Sequence, residues 1–117
     1  MALYQELSVY QKGYRLTREI YQSTRAFPQD ERYGLISQMR RAAASIPVNI
    51  AEGYGKEEST AELKRYLRMA KGSAAELSVW LDLSKDLGYM DEQVWKDFRK
   101  KVTEIEKMLR GLIDSIV

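Results

Sequence analysis

The chain has 117 residues, 44% hydrophobic and 31% charged, with a net charge of +2. That length suits one domain, residues 1–117, with a modest core, and so small a charge points to nucleic acid only if basic residues cluster. The absence of cysteine and histidine excludes disulfides, thiolate metal sites and a Ser-His-Asp hydrolase. The opening Met1-Ala2-Leu3-Tyr4-Gln5-Glu6 lacks the basic start and apolar run of a secretory signal. No window approaches the ~18 consecutive apolar residues of a membrane helix. A cytoplasmic protein with no membrane contact, cofactor or metal is expected.

Between Leu7 and about Thr24, residues Leu7, Tyr10, Tyr14, Thr17 and Tyr21 recur at steps of three and four, with Leu16 and Ile20 beside them. This is an amphipathic helix, with Lys12, Arg15, Arg18 and Glu19 on its other side. Phe27-Pro28 ends it, because the residue before proline is pushed out of the helical region. Gln29 or Asp30 then opens a second helix, from about Glu31 to Glu52, whose apolar positions are Leu35, Met39, Ala42, Ala43, Ile46 and Ile50. Pro47 removes a backbone donor and presses on the carbonyl of Ala43. Two short helices or one kinked helix would answer this. The kink is preferred, since both stripes keep phase across the proline. Gly53-Tyr54-Gly55 is expected to stop the helix with a left-handed glycine.

Ser59-Thr60-Ala61-Glu62 reads as a capping box. The third helix runs to about Leu87 on Leu63, Leu67, Ala70, Ala74, Leu77 and Leu81. Gly88-Tyr89-Met90 turns the chain, and Asp91 caps a fourth helix carrying Val94, Phe98, Val102, Ile105, Leu109, Leu112 and Ile116. The fold class is therefore all-α, an antiparallel up-down-up-down four-helix bundle with a proline-kinked second helix.

Three groups of residues stand apart from this core pattern. Gln38, Arg41, Ser45, Asn49 and Glu52 share one side of the second helix. They read as a solvated face, a ligand or RNA contact, or, preferred here, a structural polar network between helices. Glu76 and Arg65 of the third helix would be its partners, because Arg41 and Glu52 are ~16 Å apart along the axis and cannot pair with each other. The third helix has apolar residues beyond its stripe, with Met69, Val79, Trp80 and Leu83 the candidate subunit contact of a homo-oligomer, and Gly72, Ser73, Ala74 and Ala75 permitting close approach. Arg40, Lys64, Arg65, Arg68 and Lys71 form a candidate nucleic-acid-binding cluster if the second and third helices lie side by side, with Glu57, Glu58, Glu62 and Glu76 near enough to offset it. No phosphate-loop spacing and no Glu-x-x-His motif is present, so an enzyme is not expected.

The run from Gln38 to Gly53, QMRRAAASIPVNIAEG, resembles the signature of the 23S rRNA intervening-sequence protein family. Leu7-Ser-Val-Tyr-Gln-Lys12 is similar to that family's opening helix, and the run from Arg65 to Glu76, RYLRMAKGSAAE, to its third-helix motif. The resemblance implies a left-handed four-helix bundle assembling into a ring, a pentamer, without catalytic activity or small-molecule substrate. It also implies kinship with accessory proteins of diversity-generating retroelements, whose basic ring binds reverse transcriptase and nucleic acid. In a ring, each basic cluster repeats in every subunit, turning +2 per chain into a positive track for RNA or DNA. The expected role is a non-catalytic, oligomeric, RNA-associated accessory; the alternative is a structural or protein-interaction module without nucleic-acid affinity.

Overall fold

The structure, a computed structural model, describes residues 3–56 and 59–117. Four helices carry the chain: α1 (Ser8–Thr24), α2 (Leu35–Tyr54), α3 (Thr60–Asp86) and α4 (Glu92–Ser115). Short 3-10 turns at Tyr4–Glu6 and Gln29–Glu31 precede α1 and α2. There is no strand among the described residues. Each helix packs on the next, and α1 also meets α4. The result is a rod of 45 × 24 × 20 Å, as long as α3 requires at about 1.5 Å per residue.

Cross-helix contacts fix antiparallel neighbours. On α1 and α2, Gly13 lies against Pro47 while Arg40 reaches Thr24. On α2 and α3, Gly53 lies against Tyr66 while Ser84 lies beside Met39. On α1 and α4, Lys12 pairs with Glu104 and Glu19 with Lys101. These last pairs are solvent-exposed and contribute less than about 1 kcal/mol each. Cohesion comes instead from the closed core of Leu16, Ile20, Met39, Ile46, Ile50, Leu67, Leu77, Leu81, Val102, Ile105 and Leu109, all at most 1% exposed; each fully buried aliphatic contributes on the order of 1.5–3 kcal/mol.

Several helix boundaries obey the capping chemistry read from the sequence. The Ser59 hydroxyl accepts from the Glu62 amide at 3.1 Å, but only this arm of the expected capping box forms, since the Glu62 carboxylate pairs with Arg65 and the Ser59 amide donates to the Lys56 carbonyl. The Asp91 carboxylate accepts from the Val94 amide at 2.9 Å. Gly88 (φ 78°) closes α3, with the Tyr89 amide reaching back to the Ser84 carbonyl at 2.9 Å, a turn that favours glycine.

Other boundaries differ. The second helix begins at Leu35, where the Glu31 side chain accepts from the Leu35 amide at 3.3 Å; Gln29 and Asp30 belong to the preceding 3-10 turn. Gly55 ends α2 with φ −75°, a right-handed conformation and not a left-handed cap. Its glycine neighbour Gly53 serves packing, since a Cβ there would meet Tyr66 Cβ at 3.0 Å and Leu63 Cδ1 at 3.2 Å.

The stripe of α1 is also displaced from the expected one. Val9, Gly13, Leu16, Ile20 and Thr24 are buried, whereas Tyr14 and Tyr21 are 52% and 43% exposed. Aliphatic side chains lose nothing on full burial, while a tyrosine keeps its hydroxyl wet by lying at the edge. On α4, Val94 is exposed and Ile113 takes a core place.

Candidate nucleic-acid interface

Proline 47 sits inside α2, which continues through it from Leu35 to Tyr54 as one helix. Its ring cannot donate to the Ala43 carbonyl. A residue of α1 serves that carbonyl: the Thr17 hydroxyl stands 3.0 Å from the Ala43 oxygen and 2.8 Å from the Gly13 oxygen, sharing one proton between them. Gly13 makes the approach possible. A Cβ there would lie 3.1 Å from Ile46 Cγ2 and 3.5 Å from Pro47 Cδ. The proline is thus the point on which α1 and α2 close.

Outside that seam the two helices leave a groove. A recess of about 580 Å³ is lined by Tyr4, Tyr10, Tyr14, Thr17, Arg18, Tyr21, Arg25, Pro47 and Val48, among others. Two further recesses continue it towards the other end of α1, sharing Tyr21, Arg25, Arg32, Ile36, Arg40 and Val48. The combined surface carries Arg18, Arg25, Arg32, Arg40 and Arg41, and no acidic side chain among the described residues lining it. Its tyrosines are in mutual contact, with ring centroids 5.0 Å apart for Tyr4 and Tyr10 and 6.2 Å for Tyr10 and Tyr14. Burial, then the neighbouring Tyr4 and Tyr14 phenols, hold the Tyr10 phenol above its usual value.

Arg40 belongs to this groove. Its Nε donates to Thr24 Oγ1 at 3.0 Å, and Nη2 to the Tyr21 carbonyl at 3.3 Å. The guanidinium also lies over the Tyr21 ring, 4.6 Å from the centroid. Thr24, 1% exposed, donates in turn to the Ile20 carbonyl at 2.7 Å. Arg40 therefore satisfies a carbonyl in the last turn of α1, where a positive charge also meets the negative end of the helix dipole.

The other proposed cluster members lie elsewhere. Lys64, Arg65, Arg68 and Lys71 are on α3, and Arg40, turned to α1, does not join them. Arg65 pairs with Glu62 at 3.0 Å and stacks over Tyr66 at 4.6 Å. That hydrogen bond lowers the Glu62 carboxyl below its usual range. Glu57 and Glu58, expected to offset the cluster, lie outside the described residues.

The polar row of α2 is divided. Asn49 is buried, and its Nδ2 donates to the Ser45 carbonyl at 2.8 Å and to Ser45 Oγ at 3.0 Å. Gln38, Arg41, Glu52 and Glu76 are exposed. Within one chain, no described residue forms an ion pair with Arg41, Glu52 or Glu76. Among the described residues, only Asn49 and Ser45 of this row make side-chain hydrogen bonds, and Arg41 and Ser45 line the recess shared with Tyr21 of α1.

Met69, Val79 and Leu83 are 44%, 60% and 38% exposed along one strip of α3. Trp80 departs from them: it is half-buried and packs against the core. The sequence reading missed Arg18, Arg25, Arg32 and the outward Tyr14, Tyr21 and Tyr33. The seven-residue spacings Tyr14–Tyr21 and Arg18–Arg25–Arg32 were the available signal.

No curated protein matches the chain. Among solved structures, a crystal structure of a protein of unknown function from the S23 ribosomal protein family of Bacteroides thetaiotaomicron superposes with a TM-score of 0.81 at 24% identity, over 92% of this chain and 99% of that one. It shares the fold. The sequence pattern of the 23S rRNA-intervening sequence proteins matches residues 5–111, nearly the whole chain, and the protein therefore belongs to that family.

Proposed function

We propose that this protein is a non-catalytic nucleic-acid-binding accessory that works as a cytoplasmic homo-oligomer. The observation that carries this reading is the groove of α1 and α2, whose lining includes Arg18, Arg25, Arg32 and Arg40 and no acidic residue among those described, on a chain whose net charge is only +2. Arginine makes bidentate contacts with phosphate and releases counterions from the polyanion. Repetition of the groove around a ring, a pentamer in this reading, gathers several modest faces into one strong electrostatic surface.

The subunit contact in this reading is the exposed α3 strip of Met69, Val79 and Leu83. Arg41, Glu52 and Glu76 would find partners on the neighbouring subunit, so that the polar network spans chains. The kink at Pro47 would set the angle at which α2 meets that neighbour.

Titration of a labelled RNA at two salt concentrations tests the function. Affinity should fall steeply with salt, and Arg18→Glu with Arg25→Glu should weaken binding and flatten the salt slope by about one per lost phosphate contact. Arg65→Glu with Arg68→Glu, on α3, should weaken it less. Absence of salt-sensitive binding would favour a protein-interaction module instead.

A further inference from the structure

Resting on the nucleic-acid reading above, we propose that the groove between α1 and α2 takes single-stranded nucleic acid, with bases stacked on Tyr14 and Tyr21 and phosphates held by the arginines beside them. Generic binding of a polyanion needs only the arginines. The tyrosines ask for more.

Their exposure is the first observation. Tyr14 and Tyr21 are 52% and 43% exposed, on a helix whose core stripe of Val9, Leu16 and Ile20 is complete without them. Every base has a π-face, so aromatic platforms bind single strands with little regard to sequence. In a duplex those faces are stacked on one another and cannot reach a side chain.

Charge placement is the second. Arg18 stands four residues after Tyr14, one turn further along the same face of α1, and Arg25, the residue that caps the end of that helix, stands four residues after Tyr21. Each exposed ring is thus followed by a guanidinium, the alternation that a strand of alternating base and phosphate requires. Arg40 holds the underside of Tyr21 at 4.6 Å and is itself anchored on Thr24, which orders that ring before a base arrives. Such ordering in advance lowers the entropy cost of binding.

The third is the shape. The groove is open and runs along the seam beyond Tyr21 to Arg32 and Tyr33. An enclosed cavity would suit a single nucleotide; an open trough lined by alternating aromatic and basic side chains suits a strand.

The test is fluorescence anisotropy with labelled single-stranded RNA, the matching single-stranded DNA and the corresponding duplex, on wild type, Tyr14→Ala/Tyr21→Ala, Tyr14→Phe/Tyr21→Phe and Arg18→Gln/Arg25→Gln. Helical content and solution mass are checked for each. The single strands should bind at least tenfold more tightly than the duplex, with the RNA and DNA arms stating which strand is preferred. The alanine pair should lose tenfold or more of that affinity at unchanged mass, while the phenylalanine pair, which keeps the ring faces, should retain it. Duplex binding equal to single-strand binding, or an alanine pair that binds like wild type, overturns the inference. If the arginine pair still loses salt-dependent binding in that case, the broader function stands. Failure of all probes to bind removes both. An alanine pair that changes solution mass would assign the groove to a second copy of the chain and overturn the inference as well.

Discussion

Thr17 of α1 hydrogen-bonds the Ala43 carbonyl of α2 at 3.0 Å, the acceptor that Pro47 leaves without its helical donor. A helix-breaking residue is thereby converted into a docking point between two helices. Thr17→Val should cost about 1–3 kcal/mol, the penalty of a buried acceptor left without its partner. Pro47→Ala restores an amide for Ala43, so the same Thr17→Val change made on that background should cost markedly less. A double-mutant cycle by urea denaturation reads the difference; additive effects would mean that the two residues act independently.

Gly13 and Gly72 should respond to alanine with opposite signs. Both lie inside helices, where alanine is intrinsically better by about 1 kcal/mol. At Gly72 nothing stands within 4 Å of the added Cβ, and Gly72→Ala should stabilise by about 0.5–1 kcal/mol. At Gly13 the Cβ presses on Ile46 and Pro47, and overpacking of this kind costs about 1–3 kcal/mol. Thermal unfolding of the two variants compares them directly.

Arg40 and Arg41 are adjacent but perform different work. Arg40→Met removes two hydrogen bonds to α1 and should lower stability by about 1–3 kcal/mol. Arg41 is exposed, so Arg41→Met should leave the fold of the chain within about 0.5 kcal/mol and act on assembly. Denaturation midpoints at low protein concentration, paired with light scattering, separate the two effects.

The proposed subunit contact through α3 has its own variants. Val79→Glu and Leu83→Glu place charge on an exposed strip and should yield folded monomers. Trp80→Glu should instead damage the fold, because Trp80 packs against the core. Unchanged mass in both strip variants would move the contact to another face.

Alkaline pH should weaken the fold earlier than acid chemistry near neutrality does. Tyr54 is held above its usual value by burial. Tyr10 is raised by burial and the adjacent phenols, and Tyr89 by its hydrogen bond to Glu31, then burial. A raised phenol pKa means that the folded state favours the neutral form. The associated stability is complete below the ordinary value of about 10 and is lost as pH rises from there through the raised value of the folded state. Without histidine, stability should be nearly flat between about pH 7 and 9. Tyr54→Phe should reduce the alkaline loss in denaturation midpoints, and phenolate absorbance should lag behind that of the unfolded chain.

Helix number, approximate ends and antiparallel order could be read from the residues, because amphipathic period and capping chemistry act within a few positions of each other. Ser59, Gly88 and Asp91 behave as their types require. The direction of each face was harder. In α1 the tyrosine row and the row of Val9, Leu16 and Ile20 have the same period, and only the approach of α2 at Gly13 selects which is inward. The candidate site failed to appear for a related reason: Arg18, Arg25 and Arg32 come from α1 and the segment after it, Arg40 and Arg41 from α2, and their common surface exists only once the two helices are docked.

What the sequence determined by itself was therefore local: four helices, their caps, a difficult proline and a family signature. Tertiary structure decided which side of each helix faces its neighbours, that Thr17 answers Pro47, and that arginines distant in the chain share an acid-free groove among its described residues. Periodicity defines a stripe on one helix, whereas the rotation of that stripe depends on steric fit to another.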